Sequence, residues 1–332
     1  MLKLVILIIY FAVLIGIGLY CRKHATDVNG FVLGGRSVGP WLTAFAYGTS
    51  YFSAVVFVGY AGQFGWKYGI AATWAGIGNA IIGSLLAWVV LGRRTRIMSQ
   101  HLDSATMPQY FGKRFGSNPL KIGASVIIFI FLIPYTASLY NGLSRLFGMA
   151  FNIDYSVCII IMATLTAIYV IAGGYMATAI NDFIQGIIML FGIIAVIAAV
   201  IHSKGGFMSA LQGLANVSDL AVSNTPGIFA SFFGPDPFNL LCVVILTSLG
   251  TWGLPQMVQK FYAIDNEASI QKGTVISTIF ALIVSGGCYF LGGFGRLFSD
   301  QIDVKANGFD SIIPTMLSNL SPALIALVVI LV

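Results

Sequence analysis

Long apolar runs separated by short polar stretches follow one another along the whole chain. Runs of about 20 residues are what a helix needs to cross a bilayer core of about 30 Å. Their recurrence from end to end excludes a soluble body with one membrane anchor. They predict helices at about 2–20, 40–62, 69–92, 121–148, 155–173, 178–201, 237–256 and 273–298, and from 320 to the end. The last run, Ser321 to Val332, has 12 residues and rises only about 18 Å as a helix. It is expected to be a span cut short, and the chain a fragment or truncated product.

The first run, Leu4 to Tyr20, resembles a secretory signal in length. However, its basic cluster, Arg22, Lys23 and His24, follows it, and no small-residue cleavage site comes after. A retained helix is expected. The loops then alternate in charge. Arg22, Lys23, Arg36, Arg93, Arg94, Arg96, Lys113, Arg114, Lys121, Lys260 and Lys272 fall on one side, 11 of the 17 Lys and Arg. The positive-inside rule therefore places the N-terminus outside, in a multi-pass protein of the cell membrane.

Composition agrees: 58% of the 332 residues are hydrophobic and 8% charged, against about 25% charged in ordinary soluble domains. A net charge of +6 is accounted for by topology, so nucleic acid is not expected as a partner, whereas the lipid bilayer is. Cys21, Cys158, Cys242 and Cys288 stand singly, with no metal or disulfide spacing. His24, His101 and His202 lie in loops without a triad or metal pattern, so no enzyme is expected. The glycines from Gly286 to Gly295 follow no strand and precede no P-loop lysine, and close helix packing explains them better.

Two helices carry polar interruptions at matching places. One is Tyr47-Gly48-Thr49-Ser50-Tyr51-Phe52-Ser53 and the other Thr247-Ser248-Leu249-Gly250-Thr251-Trp252-Gly253-Leu254-Pro255, five helices later. Broken helices at corresponding positions of two repeats form ion and solute sites in transporters. Small and hydroxyl residues also serve simple helix packing, but the matched placement favours a site. Asp182 stands in an apolar segment, where a carboxylate lines an ion or solute pathway or else caps a helix start.

Four stretches, GGRSVGPWLTAFAYGTSYFSAVVFVGYAG at 34–62, TMPQYFGKRFGS at 106–117, GGYMATAINDFIQGIIMLFG at 173–192 and LGTWGLPQMVQKFYA at 249–263, resemble the sodium:solute symporter family, in family order. The similarity covers about residues 30–332. It implies an all-α membrane protein with a leucine-transporter-like inverted-repeat bundle. An extra N-terminal helix (2–20), a first five-helix repeat (40–201) and a partial second repeat (237–332) would form one transporter domain lacking its last helices. By the same resemblance, sodium would be held by backbone carbonyls at Thr49 and Phe52, with Ser53 contributing and Asp182 on the inner sodium pathway. The solute would lie near Val56, Ser248, Thr251 and Trp252.

Proline transporters of the family carry an aspartate where this chain has Tyr51, so coordination would lean on carbonyls and hydroxyls. The implied function is sodium-coupled import of a small organic solute, an amino acid or organic anion rather than a sugar. The alternative is a transporter-like membrane sensor or a non-coupling fragment, because the helix that completes the family's sodium site would lie past Val332.

Overall fold

The computed structural model describes residues 2–24, 26–51 and 53–331, and it is built of helices. The extra helix α1 (Leu2–Cys21) leads through the short α2 (Val28–Leu33) to α3 (Pro40–Thr49), whose first turn accepts Pro40 because the N–H it lacks would have no helical partner. The chain leaves the helix after Thr49 in a turn at Ser50–Tyr51, resumes as a π-helical turn over Val55–Tyr60 and continues as α4 (Ala61–Tyr68). The span predicted at 40–62 is thus two half-helices around a break at its polar interruption.

Next come α5 (Thr73–Gly78), two π-helical stretches (Asn79–Leu86 and Trp88–Gly92) and α6 (Arg93–His101), which together form one long rod. After α7 (Met107–Phe115), α8 (Asn118–Phe151) crosses in a single piece despite Pro134. Helix α9 (Tyr155–Ser203) contains both spans expected at 155–173 and 178–201, separated by a sharp kink at Gly174. Its φ of +57° favours glycine, and a Cβ there would sit 2.8 Å from the Phe31 carbonyl oxygen of α2.

Beyond α10 (Phe207–Ala215), the second interrupted span resolves into α11 (Pro237–Leu249), a 3₁₀ turn (Gly250–Gly253) and α12 (Pro255–Ala263), bent by 52°. Sequence reading ended this span near Pro255. Proline instead opens a new half-helix, so Lys260 lies on α12, 7% exposed, and not in a solvated loop. Arg96 is likewise buried at 5% exposure, donating to the carbonyls of Ile264 and Asp265. Helix α13 (Glu267–Gly292), the short α14 (Val304–Asn307) and α15 (Ile312–Leu317), and the apolar α16 (Pro322–Leu331) complete the chain.

Backbone contact organises the packing. Cβ atoms on Gly65 and Gly292 would stand 2.0 Å from the carbonyl oxygens of Gly292 and Ala61, so α4 and α13 touch main chain to main chain. Gly76 meets Gly286 in the same way at 2.5 Å, which fits the packing role expected of these glycines. At the basic face, Val38 pairs with Ile264 as an isolated parallel bridge, and Arg36 donates to the carbonyls of Ser99, Ser104 and Tyr262. The segment entering α3 and the one leaving α12 are thereby fixed to each other and to α6. On the opposite face Arg296 donates to the Trp66 carbonyl and to Asp219 at 3.0 Å, its guanidinium 3.8 Å from the centre of the Phe229 ring. Burial pulls the Arg296 guanidinium down from its ordinary value, while Asp219 opposes the shift.

Candidate functional site: the first broken helix and Asp182

The break after α3 is made by residues that satisfy their own backbone. Thr49 and Ser50 hydroxyls donate back to the Ala46 carbonyl at 3.3 and 2.8 Å. The Ser53 Oγ accepts from the Val56 N–H at 3.3 Å and starts the next helical segment. Side-chain hydroxyls therefore take over bonds that a continuous helix would make along its ladder. They leave carbonyls and oxygen atoms at the break available to a ligand.

A cavity of about 410 Å³ opens beside this break. Thr49, Ser50 and Ser53 line it from the first broken helix, Thr136 and Tyr140 from α8, and Thr166, Tyr169, Asp182 and Gln185 from α9. Three of the four proposed sodium residues, Thr49, Ser53 and Asp182, thus share one space. The fourth, Phe52, lies outside the described residues. Asp182 sits within α9, eight residues past the Gly174 kink, so it does not cap the helix start. A smaller cavity of about 170 Å³ lies beside α1 and is also lined by Asp182, which therefore faces two spaces. The donors on the larger cavity are carboxylate, hydroxyl and amide oxygens, a set suited to a hard cation.

The proposed solute residues are placed differently. Val56 contributes its N–H to the Ser53 bond, but neither its side chain nor those of Ser248, Thr251 and Trp252 line the 410 Å³ cavity. Ser248 is fully buried and donates to Asn79 at 3.2 Å, and Trp252 donates its indole N–H to the Ile82 carbonyl at 2.9 Å. Thr251 is hydrogen-bonded to the Tyr51 hydroxyl, which also donates to the Gly83 carbonyl. Tyr47 reaches that carbonyl as well, at 3.1 Å. The π-helical stretch Asn79–Leu86 thus presents carbonyls through which both broken helices are joined. Tyr51 points into this junction and does not line the cavity.

One partner went unrecognised in the sequence. The Lys260 ammonium lies 3.5 Å from an Asp182 carboxylate oxygen and 5.1 Å from the centre of the Tyr175 ring. It joins α12, the second half of the second broken helix, to α9.

The description of the sodium:solute symporter family matches residues 31–332, nearly the whole chain. The chain belongs to this family. The osmoregulated proline transporter OpuE of Bacillus subtilis is 29% identical over 299 residues, covering 89% of this chain and 59% of that protein. A sodium/proline symporter of Staphylococcus aureus is 30% identical over 311 residues, covering 91% and 57% respectively. The chain thus spans somewhat under three fifths of the length of these relatives. Among solved structures, an outward-open, substrate-bound Na+-coupled sialic acid symporter superposes with a TM-score of 0.77 at 16% identity, covering all of this chain and 68% of that one. At that identity the likeness shows the fold, an all-α membrane transporter fold, as expected from the four motif stretches. Membership of a transporter family also agrees with the expectation that the chain is no enzyme.

Proposed function

We propose that the protein bearing this chain imports a small organic solute with sodium, and that the 410 Å³ cavity is where the sodium pathway meets the first broken helix. The observation carrying this is the convergence of Thr49, Ser53 and Asp182, from two separate helices, on one cavity at a helix break. Sodium would be held by the Thr49 and Phe52 carbonyls and the Ser53 hydroxyl, with Asp182 on the way to the cytoplasm. The solute would contact Val56 and the Ser248–Trp252 turn, where the second broken helix meets Tyr51. Because named relatives transport proline, an amino acid is the solute class to try first.

The architecture we assign is one transporter domain with α1 as an extra helix, a first repeat over 40–201 and part of a second over 237–332. It lies in the cell membrane with its N-terminus outside. This orientation puts Arg36, Arg96 and the Val38–Ile264 bridge on the cytoplasmic side, and Arg296 with Asp219 outside. The protein would meet solute, sodium and lipid, and no nucleic acid. Binding of radiolabelled L-proline to the protein in lipid nanodiscs, in sodium and in choline, tests the reading. Saturable binding only in sodium supports it; sodium-independent binding or none across a panel of amino acids and organic anions overturns it.

A further inference from the structure

Among the described residues, Arg96, Lys260 and Arg296 are the buried cations. The two arginines donate to backbone carbonyls, Arg296 in addition to its bond to Asp219 at 3.0 Å, and serve as fixed clamps. Lys260 is held differently. Its ammonium contacts are the Asp182 carboxylate at 3.5 Å and the Tyr175 ring face. A tight charge-assisted bond is about 2.7–2.9 Å long, so this pair is in contact without being locked. Its two ends stand on different elements, α12 and α9, and its acid also lines the cavity that holds Thr49 and Ser53.

We infer that Lys260 is a resident counter-cation of Asp182, which sodium displaces. The inference rests on the sodium pathway proposed above. A lone carboxylate at this depth is costly unless a cation faces it, and an ammonium supplies a compact monovalent charge on a flexible stem. A sodium ion entering beside Thr49 and Ser53 meets a carboxylate that is already neutralised. Two monovalent cations then compete for one negative charge, and each repels the other. When sodium wins, the ammonium leaves Asp182 and the tie between α12 and α9 is released. Ion occupancy is thereby converted into freedom of the inner half of the second broken helix relative to α9. By reciprocity, whatever holds Lys260 against Asp182 weakens sodium binding by the same factor.

The test is a sodium titration, at constant ionic strength with choline, of thermal unfolding of the purified protein in nanodiscs. It compares wild type with Lys260→Gln, Lys260→Met, Asp182→Asn and the Lys260→Gln/Asp182→Asn pair. Removing the competitor should lower the half-saturating sodium concentration by about fivefold or more in both Lys260 variants, even if their melting temperature without sodium falls. The double variant should lose that gain. If wild type responds to sodium and the Lys260 variants respond with the same or weaker affinity, Lys260 is a packing residue and this inference is wrong while the sodium pathway stands. If neither wild type nor the Lys260 variants respond, both are wrong. A response that appears only when Lys260 is replaced means that sodium does not displace the ammonium, and it overturns the displacement while the sodium pathway stands.

Discussion

Replacing Gly65 by alanine tests how closely the first broken helix is seated on α13. The new Cβ would lie 2.0 Å from the Gly292 carbonyl oxygen, 2.1 Å from its carbon and 2.7 Å from the Gly293 nitrogen. Ordinary contact begins at 3.4 Å, so the two backbones must separate by more than an ångström along that direction. No rotamer change relieves the clash, because all three atoms are main chain. Overpacking of this kind costs about 1–3 kcal/mol, more than offsetting the gain of up to about 1 kcal/mol from replacing a helical glycine with alanine. Gly286, on the same helix α13, is the control, since a Cβ there meets nothing within 4 Å. Gly286→Ala should be neutral or slightly stabilising. At about 2.1 cal/mol/K per residue, the 332 residues of the chain give about 1–2 °C per kcal/mol, and thermal unfolding in nanodiscs should place Gly65→Ala below both wild type and Gly286→Ala. If Gly65→Ala melts at or above wild type, the main-chain contact between α4 and α13 does not exist as described.

Three further outcomes follow from the clamps and the junction. Arg296→Ala deprives the Trp66 carbonyl and Asp219 of their shared donor and should cost about 1.5–3 kcal/mol, read as a lower melting temperature and faster hydrogen exchange across residues 216–231. Arg93→Ala removes an ion pair of 2.6 Å whose side chains are 71% and 49% exposed; screening by water keeps the loss within about 1 kcal/mol, and a drop as large as that of Arg296→Ala would contradict the ranking. Tyr51→Phe deletes the hydroxyl bridging Gly83 and Thr251 and should cost about 1 kcal/mol, with hydrogen exchange rising in the turn Gly250–Gly253 and not in α13.

Much of the architecture was legible because a bilayer demands long apolar runs, and an extended run of that kind admits few structures besides a helix. The positions of both breaks were readable too, since glycine and hydroxyl residues clustered inside otherwise apolar spans. Exact helix ends were less so. Pro255 looked like a terminator, yet the 52° bend makes it the first residue of α12. That reading hid Lys260, which in sequence is one more cation near a membrane edge. Its pairing with Asp182, 78 positions away, exists only once α12 folds back against α9. The separation of Ser248, Thr251 and Trp252 from the cavity was equally out of reach. It depends on the π-helical carbonyls of residues 79–86, which carry no residue signature. Tyr47 and Tyr51, spaced by one helical turn, were the visible trace of that junction.

The most direct measurement of the central claim is thermal unfolding of the protein in sodium against potassium and choline, for wild type and for Thr49→Ala, Ser53→Ala and Asp182→Asn. The account predicts that sodium alone raises the melting temperature of wild type and that Ser53→Ala and Asp182→Asn blunt the rise. Thr49→Ala should have a smaller effect, because its carbonyl persists. Equal stabilisation by all three cations, or a sodium response untouched by every substitution, would contradict the assignment of this cavity to sodium.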